Sequence, residues 1–190
     1  MAVTRGKTAW VAVAAMVFLL LPLAAKAQVP LVDEVKLGLL AHDVSFFTHH
    51  VESGPDVNLE VLFTSPDILM VIGSPRPHIG ADINTDGDTS DGYFGLTWGL
   101  TLLHDLFNSG DGIFANASFG GAIQDGYIDT APPDRKRLGS PVLFRESLEL
   151  GYQINPRIDV SAFLDHMSNA DLGQHNAGIT SAGGRFGFKF

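Results

Sequence analysis

The chain has 190 residues, a formal net charge of −9 at pH 7 and no cysteine. The excess of acidic side chains argues against a nucleic-acid partner. The absence of cysteine excludes disulfide bonds and thiolate metal sites. A chain of this length is expected to form one domain.

The first residues have the features of a secretory signal peptide. Arg5 and Lys7 provide a charged start, residues 10–23 are mostly apolar, and 25–27 read Ala-Lys-Ala, an A-x-A cleavage site. We therefore expect a cleavable signal peptide over residues 1–27 and a single mature domain over residues 28–190. An uncleaved membrane anchor is the weaker alternative, because the apolar stretch is short for a membrane span.

The mature region has the composition of a membrane β-barrel. It contains no run of about 18 apolar residues, which excludes a helical membrane protein. Glycine is frequent, with 21 residues in the chain, and aromatic residues occur in patterns with a period of two residues. This combination is the weak signature of a transmembrane barrel.

Eight segments are predicted to be strands, separated by turn signals such as Gly54-Pro55 and Asn155-Pro156. Over residues 68–84, Pro75 and Pro77 exclude a regular central strand, so a short apolar segment, a break and then a strand from about residue 78 are expected. In chain order the predicted strands are 35–44, 57–64, 78–84, 93–104, 113–124, 142–152, 158–168 and 178–190.

Two loops carry charge patterns that have more than one interpretation. The aspartates of loop 85–89 resemble part of a calcium loop, but the distal glutamate of that motif is missing, so a plain acidic turn is favoured. Loop 125–139 contains Arg135-Lys136-Arg137. A solvated loop is the favoured interpretation of this basic cluster, and a contact with lipid phosphate groups is the alternative.

The pattern predicts an all-β fold, an eight-stranded antiparallel up-and-down transmembrane β-barrel, because closure pairs every backbone group. A soluble barrel with its apolar side chains inside is the alternative. The last residue, Phe190, resembles the terminal aromatic of outer-membrane barrels and favours apolar faces turned outward. Polar residues of the opposite parity would then fill the interior: Arg145, Glu149, Asp159, Asp165, Arg185 and Lys189.

One short stretch carries the candidate chemistry. In predicted strand 158–168 the even-numbered positions are mostly apolar, and His166 and Ser168 continue this series. Both side chains therefore lie at the end of the apolar face. Residues two apart on a strand are roughly 6.5–7 Å apart, which allows their side chains to meet. A histidine can take the proton of a serine hydroxyl and make it a nucleophile. The alternative is a polar pair at a wet strand end.

Residues 166–170, His-Met-Ser-Asn-Ala, precede Asn-Ala-Gly at 176–178, and this pattern resembles the lipid A 3-O-deacylase family. Members of that family are eight-stranded outer-membrane barrels. The resemblance implies that Ser168 is the nucleophile and His166 the general base. It also implies that Asn169 helps to form the oxyanion hole, with Asn176 and Gly178 shaping the loop opposite.

The chain departs from the family at one position. The family has a glutamate two residues after the glycine, where this chain has Thr180, and a hydroxyl cannot supply the charge that stabilises imidazolium. Glu146 is the only charged residue on the apolar parity of strand 142–152, and a charge facing lipid is costly.

Strand register makes Glu146 a candidate for the missing acid. Strands 142–152 and 158–168 can present their apolar faces on the same side only if their connection pairs residue 154 with residue 158. This register places Glu146 directly opposite His166, at a cross-strand distance of about 5 Å. We therefore hypothesise that Glu146 is the third catalytic residue. The alternative is a glutamate paired with a loop cation; weaker acid candidates are Asp165 and Asp171.

The resemblance implies an outer-membrane serine esterase that hydrolyses an ester-linked acyl chain of lipid A, the membrane-anchored part of lipopolysaccharide. This chemistry calls for no metal and no cofactor. The alternatives are a non-enzymatic outer-membrane barrel with a degenerate site and an esterase that acts on phospholipid. The expected location is the bacterial outer membrane, and the sequence leaves both a monomer and a homodimer open.

Overall fold

In a computed structural model that describes residues 31–190, the chain forms a closed barrel of antiparallel strands in which β8 pairs with β1. The predicted all-β up-and-down barrel is therefore confirmed. The predicted signal peptide lies outside the described residues. The strands are β1 (Val32–Ala41), β2 (Pro55–Phe63), β3 (Arg76–Asn84), β4 (Asp91–His104), β5 (Gly112–Gln124), β6 (Val142–Asn155), β7 (Ile158–Ser168) and β8 (Ile179–Lys189).

The strand bounds follow the sequence pattern closely, with differences near the ends. The bounds of β7 are those predicted, whereas β1 begins at Val32 rather than at residue 35. The uncertain apolar segment forms a 3-10 helix, η1 (Asp67–Ile72). Pro77 is the second residue of β3. Proline is tolerated near the start of a strand, because few ladder hydrogen bonds are lost there.

The two faces of each strand have opposite environments. Along β6 the odd positions are buried and the even positions are exposed from Val142 to Leu150. Leu148 is 61% exposed, whereas Glu149 is 6% exposed. Apolar side chains therefore face outward, and the soluble barrel with an apolar interior is excluded.

Compensated charges fill the interior of the barrel. The ammonium of Lys36 lies 2.8 Å from a carboxylate oxygen of Glu149, and Arg145 lies 2.6 Å from Asp165. Arg185 donates a 2.6 Å hydrogen bond to Glu60. Pairing of this kind offsets the cost of removing charges from water. The alternate, polar positions of the strands therefore fill the interior of the barrel, as predicted.

The two ends of the barrel differ in their connections. Connections 42–54, 85–90, 125–141 and 169–178 lie at one end, the loop end, and 64–75, 105–111 and 156–157 lie at the other, the turn end. In outer-membrane barrels the longer loops are extracellular and the short turns periplasmic. No helix among residues 31–190 is long and apolar enough to cross a bilayer.

Candidate active site

The candidate residues form one row across three strands near the loop end. Glu146 of β6 pairs in register with His166 of β7, and His166 pairs with Thr180 of β8. The predicted opposition of Glu146 and His166 is therefore confirmed. The connection between β6 and β7 differs in detail, because Asn155 pairs with Ile158 and a bulge then restores the predicted register.

The imidazole of His166 is held from several sides. Its Nδ1 atom lies 2.8 Å from the hydroxyl oxygen of Thr180, which is completely buried. The ring of Phe47 contacts it edge to face, with centroids 5.6 Å apart. On another side lies Gly178, whose φ is +58° and where an added Cβ would come within 3.0 Å of the His166 ring. Both the positive φ and the close approach favour glycine at 178.

Ser168 and Glu146 lie on the same outer face as His166. Ser168 is half-buried and pairs with Phe144. Glu146 is exposed, and the hydrogen-bond partner of the histidine ring is the Thr180 hydroxyl. The structure thus places the nucleophile, base and acid candidates at neighbouring positions of one face. Among residues 31–190, the hydrogen bond of the His166 ring is to Thr180 through Nδ1, and neither Ser168 nor Glu146 is hydrogen-bonded to the ring.

Asn169 has a different environment from that expected of an oxyanion donor. Its side-chain amide donates to the carbonyl oxygens of Leu138 at 2.9 Å and His175 at 2.5 Å. Its backbone N–H donates to the side-chain oxygen of Asn176 at 3.0 Å. Asn169 therefore braces loop 169–178, and in this arrangement its N–H groups are already engaged.

Lys136 links three loops beside the site, a role that the sequence did not indicate. Its buried ammonium donates to a carboxylate oxygen of Asp43, to the Thr48 hydroxyl at 3.0 Å and to the Gly178 carbonyl at 2.7 Å. The expectation of a solvated basic loop is therefore wrong for Lys136. Loop closure juxtaposes these residues, and strand periodicity carries no information about it.

Apolar depressions adjoin the site on the outer face of β5, β6 and β7. One, of about 470 Å³, is lined by Phe47, Glu146 and His166 and continues to Leu148 and Leu164. A second, of about 390 Å³, shares these two leucines and extends to Ala115 and Ala162. Alanines between leucines make the surface concave. The result is a groove that leads from His166 down the lipid-facing wall.

A buried charged cluster stabilises the loop end near the site. His42 lies 2.8 Å from a carboxylate oxygen of Asp56 and 3.2 Å from one of Glu52. Burial lowers the pKa of His42, but hydrogen bonds and charge from these two carboxylates outweigh it and raise the pKa to about 10. Burial alone would raise the pKa of Glu52, but the hydrogen bonds that its carboxylate accepts outweigh burial and lower the pKa to about 2.

Comparison with known proteins identifies a family and a fold. Residues 73–189 match the family model described as lipid A 3-O-deacylase (PagL), a range that contains the row formed by Glu146, His166 and Thr180. No curated protein sequence matches the chain significantly. The crystal structure of the outer membrane enzyme PagL is 17% identical, with a TM-score of 0.60, over 83% of this chain and 99% of that one.

Two further solved barrels are more distant. The N-terminal β-barrel domain of Pseudomonas aeruginosa OprF is 12% identical, with a TM-score of 0.48, over 83% of this chain and 98% of that one. Ail, the attachment invasion locus protein of Yersinia pestis, is 11% identical, with a TM-score of 0.36, over 84% of this chain and 100% of that one.

Proposed function

Because this chain belongs to the lipid A 3-O-deacylase family, an outer-membrane hydrolase family, we propose that it is a serine esterase that removes an ester-linked acyl chain from lipid A at the 3-position. The observation that carries the proposal is the row formed by Glu146, His166 and Thr180 next to Ser168. This row lies on the lipid-facing side of the wall, where a lipid ester can reach it.

In the first step the hydroxyl of Ser168 attacks the ester carbonyl. In the tautomer that this mechanism requires, the Thr180 hydroxyl 2.8 Å from Nδ1 accepts the Nδ1–H of His166, and Nε2 is the base that takes the serine proton. The protonated imidazole then gives this proton to the departing alkoxide oxygen of the sugar. The products are a free 3-hydroxyl on lipid A and an acyl chain esterified to Ser168.

In the second step water releases the acyl chain. His166 takes a proton from water, the resulting hydroxide attacks the acyl-serine carbonyl, and the proton returns to the oxygen of Ser168. A free fatty acid leaves, and the enzyme is restored. Every bond formed or broken involves only serine, histidine, water and substrate.

Glu146 supplies the charge that Thr180 lacks. Imidazolium forms in both transition states, and a carboxylate on the adjacent strand stabilises it. The pairing of Glu146 with His166 supports this role. Thr180 orients the ring and Glu146 compensates its charge, two tasks that one glutamate would perform in the family pattern.

Loop 169–178 is the proposed oxyanion side of the site. Asn169 takes this role if one of its amide hydrogens exchanges a carbonyl partner for the oxyanion when substrate binds. Asn176 holds the Asn169 backbone, and Gly178 lets the loop approach His166. One oxyanion donor contributes on the order of 3 kcal/mol to catalysis.

The groove below His166 suits lateral entry of substrate from the membrane. The scissile acyl chain would lie along Leu148 and Leu164 towards Ala115 and Ala162, while the sugar stays at the loop end. Burial of each methylene group favours binding by about 0.8 kcal/mol.

Incubation of the purified barrel with lipid A, followed by mass spectrometry of both products, tests the function. We expect one fatty acid to be released, and Ser168→Ala to abolish its release while Ser53→Ala, on an exposed loop residue, retains it. Release by Ser168→Ala would reject the nucleophile. Release from phospholipid but not lipid A would indicate a phospholipid esterase, and release from neither would indicate a non-enzymatic barrel.

A further inference from the structure

After Asp67, helix η1 at the turn end consists only of apolar residues, 68–72. None of its residues is buried. Ile68 is 78%, Met70 67%, Val71 88% and Ile72 48% exposed. Four exposed large apolar side chains within five consecutive residues would be unfavourable in water, and clusters of this kind indicate contact with a partner or a membrane.

The helix is fixed in this orientation by hydrogen bonds to its backbone. Gly73 adopts a left-handed conformation, with φ of 91°, and caps the helix with its N–H. The indole nitrogen of Trp98 donates to the carbonyl oxygen of Ile72 at 2.8 Å. The apolar side chains are therefore held away from the barrel and cannot turn inward without breaking these bonds.

Trp98 also indicates the level of helix η1 relative to the membrane–water interface. It lies on the outer face of β4, and tryptophan is enriched at membrane–water interfaces. β3 begins at Arg76, which pairs with Thr97, so β4 continues beyond the start of β3. Helix η1 lies beside this extension, where Leu100 is 64% exposed, and it continues the apolar belt.

We propose that η1 is an interfacial anchor that inserts into the phospholipid acyl chains of the periplasmic leaflet. Its position at the turn end assigns it to that leaflet. Continuity with the lipid-facing belt favours lipid over a second copy of the chain as its occupant. The exposed carboxylate of Asp67 precedes the apolar run, as expected of a segment that enters an interface.

A single fluorescent probe tests this proposal, because the chain has no cysteine and Val71→Cys gives one labelling site. We attach an environment-sensitive fluorophore and reconstitute the protein in phosphatidylcholine vesicles. Brominated lipid is expected to quench the Val71→Cys probe several-fold more than a matched probe at Asp129→Cys, in loop 125–141. Aqueous iodide should quench the probe at residue 129 more strongly than the probe at residue 71.

Two outcomes would overturn the proposal. Iodide quenching at residue 71 equal to that at 129 would place η1 in water. Protection from both quenchers, together with a disulfide-linked dimer of the unlabelled Val71→Cys protein, would identify a second copy as the occupant.

A second variant separates anchoring from barrel folding. Val71→Asp leaves the backbone bond from Trp98 to Ile72 intact, so the barrel should still close and resist heat on a gel. A probe at Met70→Cys in that variant is expected to lose most of its quenching by brominated lipid. Retained quenching would contradict an anchoring role for the η1 side chains.

Discussion

In the proposed mechanism, Thr180 and Glu146 divide between them the two tasks that one carboxylate usually performs for a catalytic histidine. Thr180 gives the ring its orientation through a 2.8 Å hydrogen bond, and Glu146 lies across the strand on the other side. A neutral acceptor fixes a tautomer, whereas only a charge stabilises imidazolium. These roles are separable by substitution, because each residue can be changed without altering the other.

Replacing Thr180 by valine keeps the shape of the buried side chain and removes the acceptor. We expect kcat to fall about 2- to 10-fold, because one ordinary hydrogen bond contributes about 0.5–1.5 kcal/mol. Deacylation kinetics on lipid A measure the effect, and Thr180→Ser is the control that should retain activity. A valine variant with wild-type kcat would show that this bond does not orient the base.

Replacing Glu146 by glutamine removes the charge and keeps the size. We expect kcat to fall about tenfold or more, or about 1.4 kcal/mol of transition-state stabilisation, with little change in KM, because imidazolium forms only during reaction. The same kinetics on Asp129→Asn, an exposed loop carboxylate, provide the matched control. Unchanged turnover would remove Glu146 from the mechanism.

At the scale of elements, the loops form the part of the site that the strands cannot provide. Lys136 from loop 125–141 joins Thr48 and Gly178, and the segments that carry these residues contact the His166 ring. His42, Glu52 and Asp56 form a second buried cluster in the same end. Both clusters are ionic, so their contributions depend on keeping every charge paired.

Lys136→Met is expected to loosen the loop end because Asp43 is left buried without its cation. Breaking a buried pair costs about 3–5 kcal/mol, so loops 42–54 and 169–178 should become sensitive to limited proteolysis, and turnover should fall. Arg137→Met, at an exposed neighbour, is the control. Equal resistance of both variants to protease would contradict the linking role.

The His42 cluster predicts a pH dependence of stability. The pKa of His42 is raised to about 10 in the fold, so its contribution is complete below about pH 6.5 and declines as the pH rises towards 10. The pKa of Glu52 is lowered to about 2, so its contribution is complete above about pH 4.5 and is lost as the pH falls towards 2.

The cluster should therefore stabilise the loop end most between about pH 4.5 and 6.5. Urea unfolding of the barrel in detergent, followed at a series of pH values, measures the free energy of unfolding. In His42→Gln the decline above pH 6.5 should be smaller than in the wild type. Identical pH profiles of the two proteins would show that His42 is not charged in the fold.

At the scale of the whole molecule, the barrel reverses the arrangement of a soluble protein. Charged pairs occupy the interior and leucines cover the wall. Closure pairs the strands all around, which allows the wall to face hydrocarbon without unpaired backbone groups. In the proposed function, the same arrangement gives a lipid substrate access to Ser168 from the bilayer.

Leu37→Lys tests the orientation of the wall. Leu37 lies midway along β1 and is 56% exposed, and a lysine near the bilayer midplane costs about 2–4 kcal/mol. Urea unfolding in phospholipid vesicles measures this cost. Leu172→Lys, in a loop where Leu172 is 80% exposed, should change stability little. Equal effects of the two substitutions would mean that β1 does not face lipid.

The sequence by itself determined the number of strands, their approximate positions and the register that joins Glu146 to His166. These follow from a period of two residues, because a shift of one residue would turn every apolar side chain to the wrong face. The register holds although the β6–β7 turn contains a bulge that the pattern did not predict. The match of His166, Ser168 and Asn169 to a family motif can also be recognised from this short stretch of sequence alone.

Only the tertiary structure decided which partners surround the base. The bond from Thr180 to His166, the buried Lys136, the engaged amide of Asn169 and the outward helix η1 depend on loops folded over the barrel. Alternation specifies two faces without saying which one is inside, and loop contacts have no period. Closure of the barrel decides which face is inside, and long-range packing decides the loop contacts.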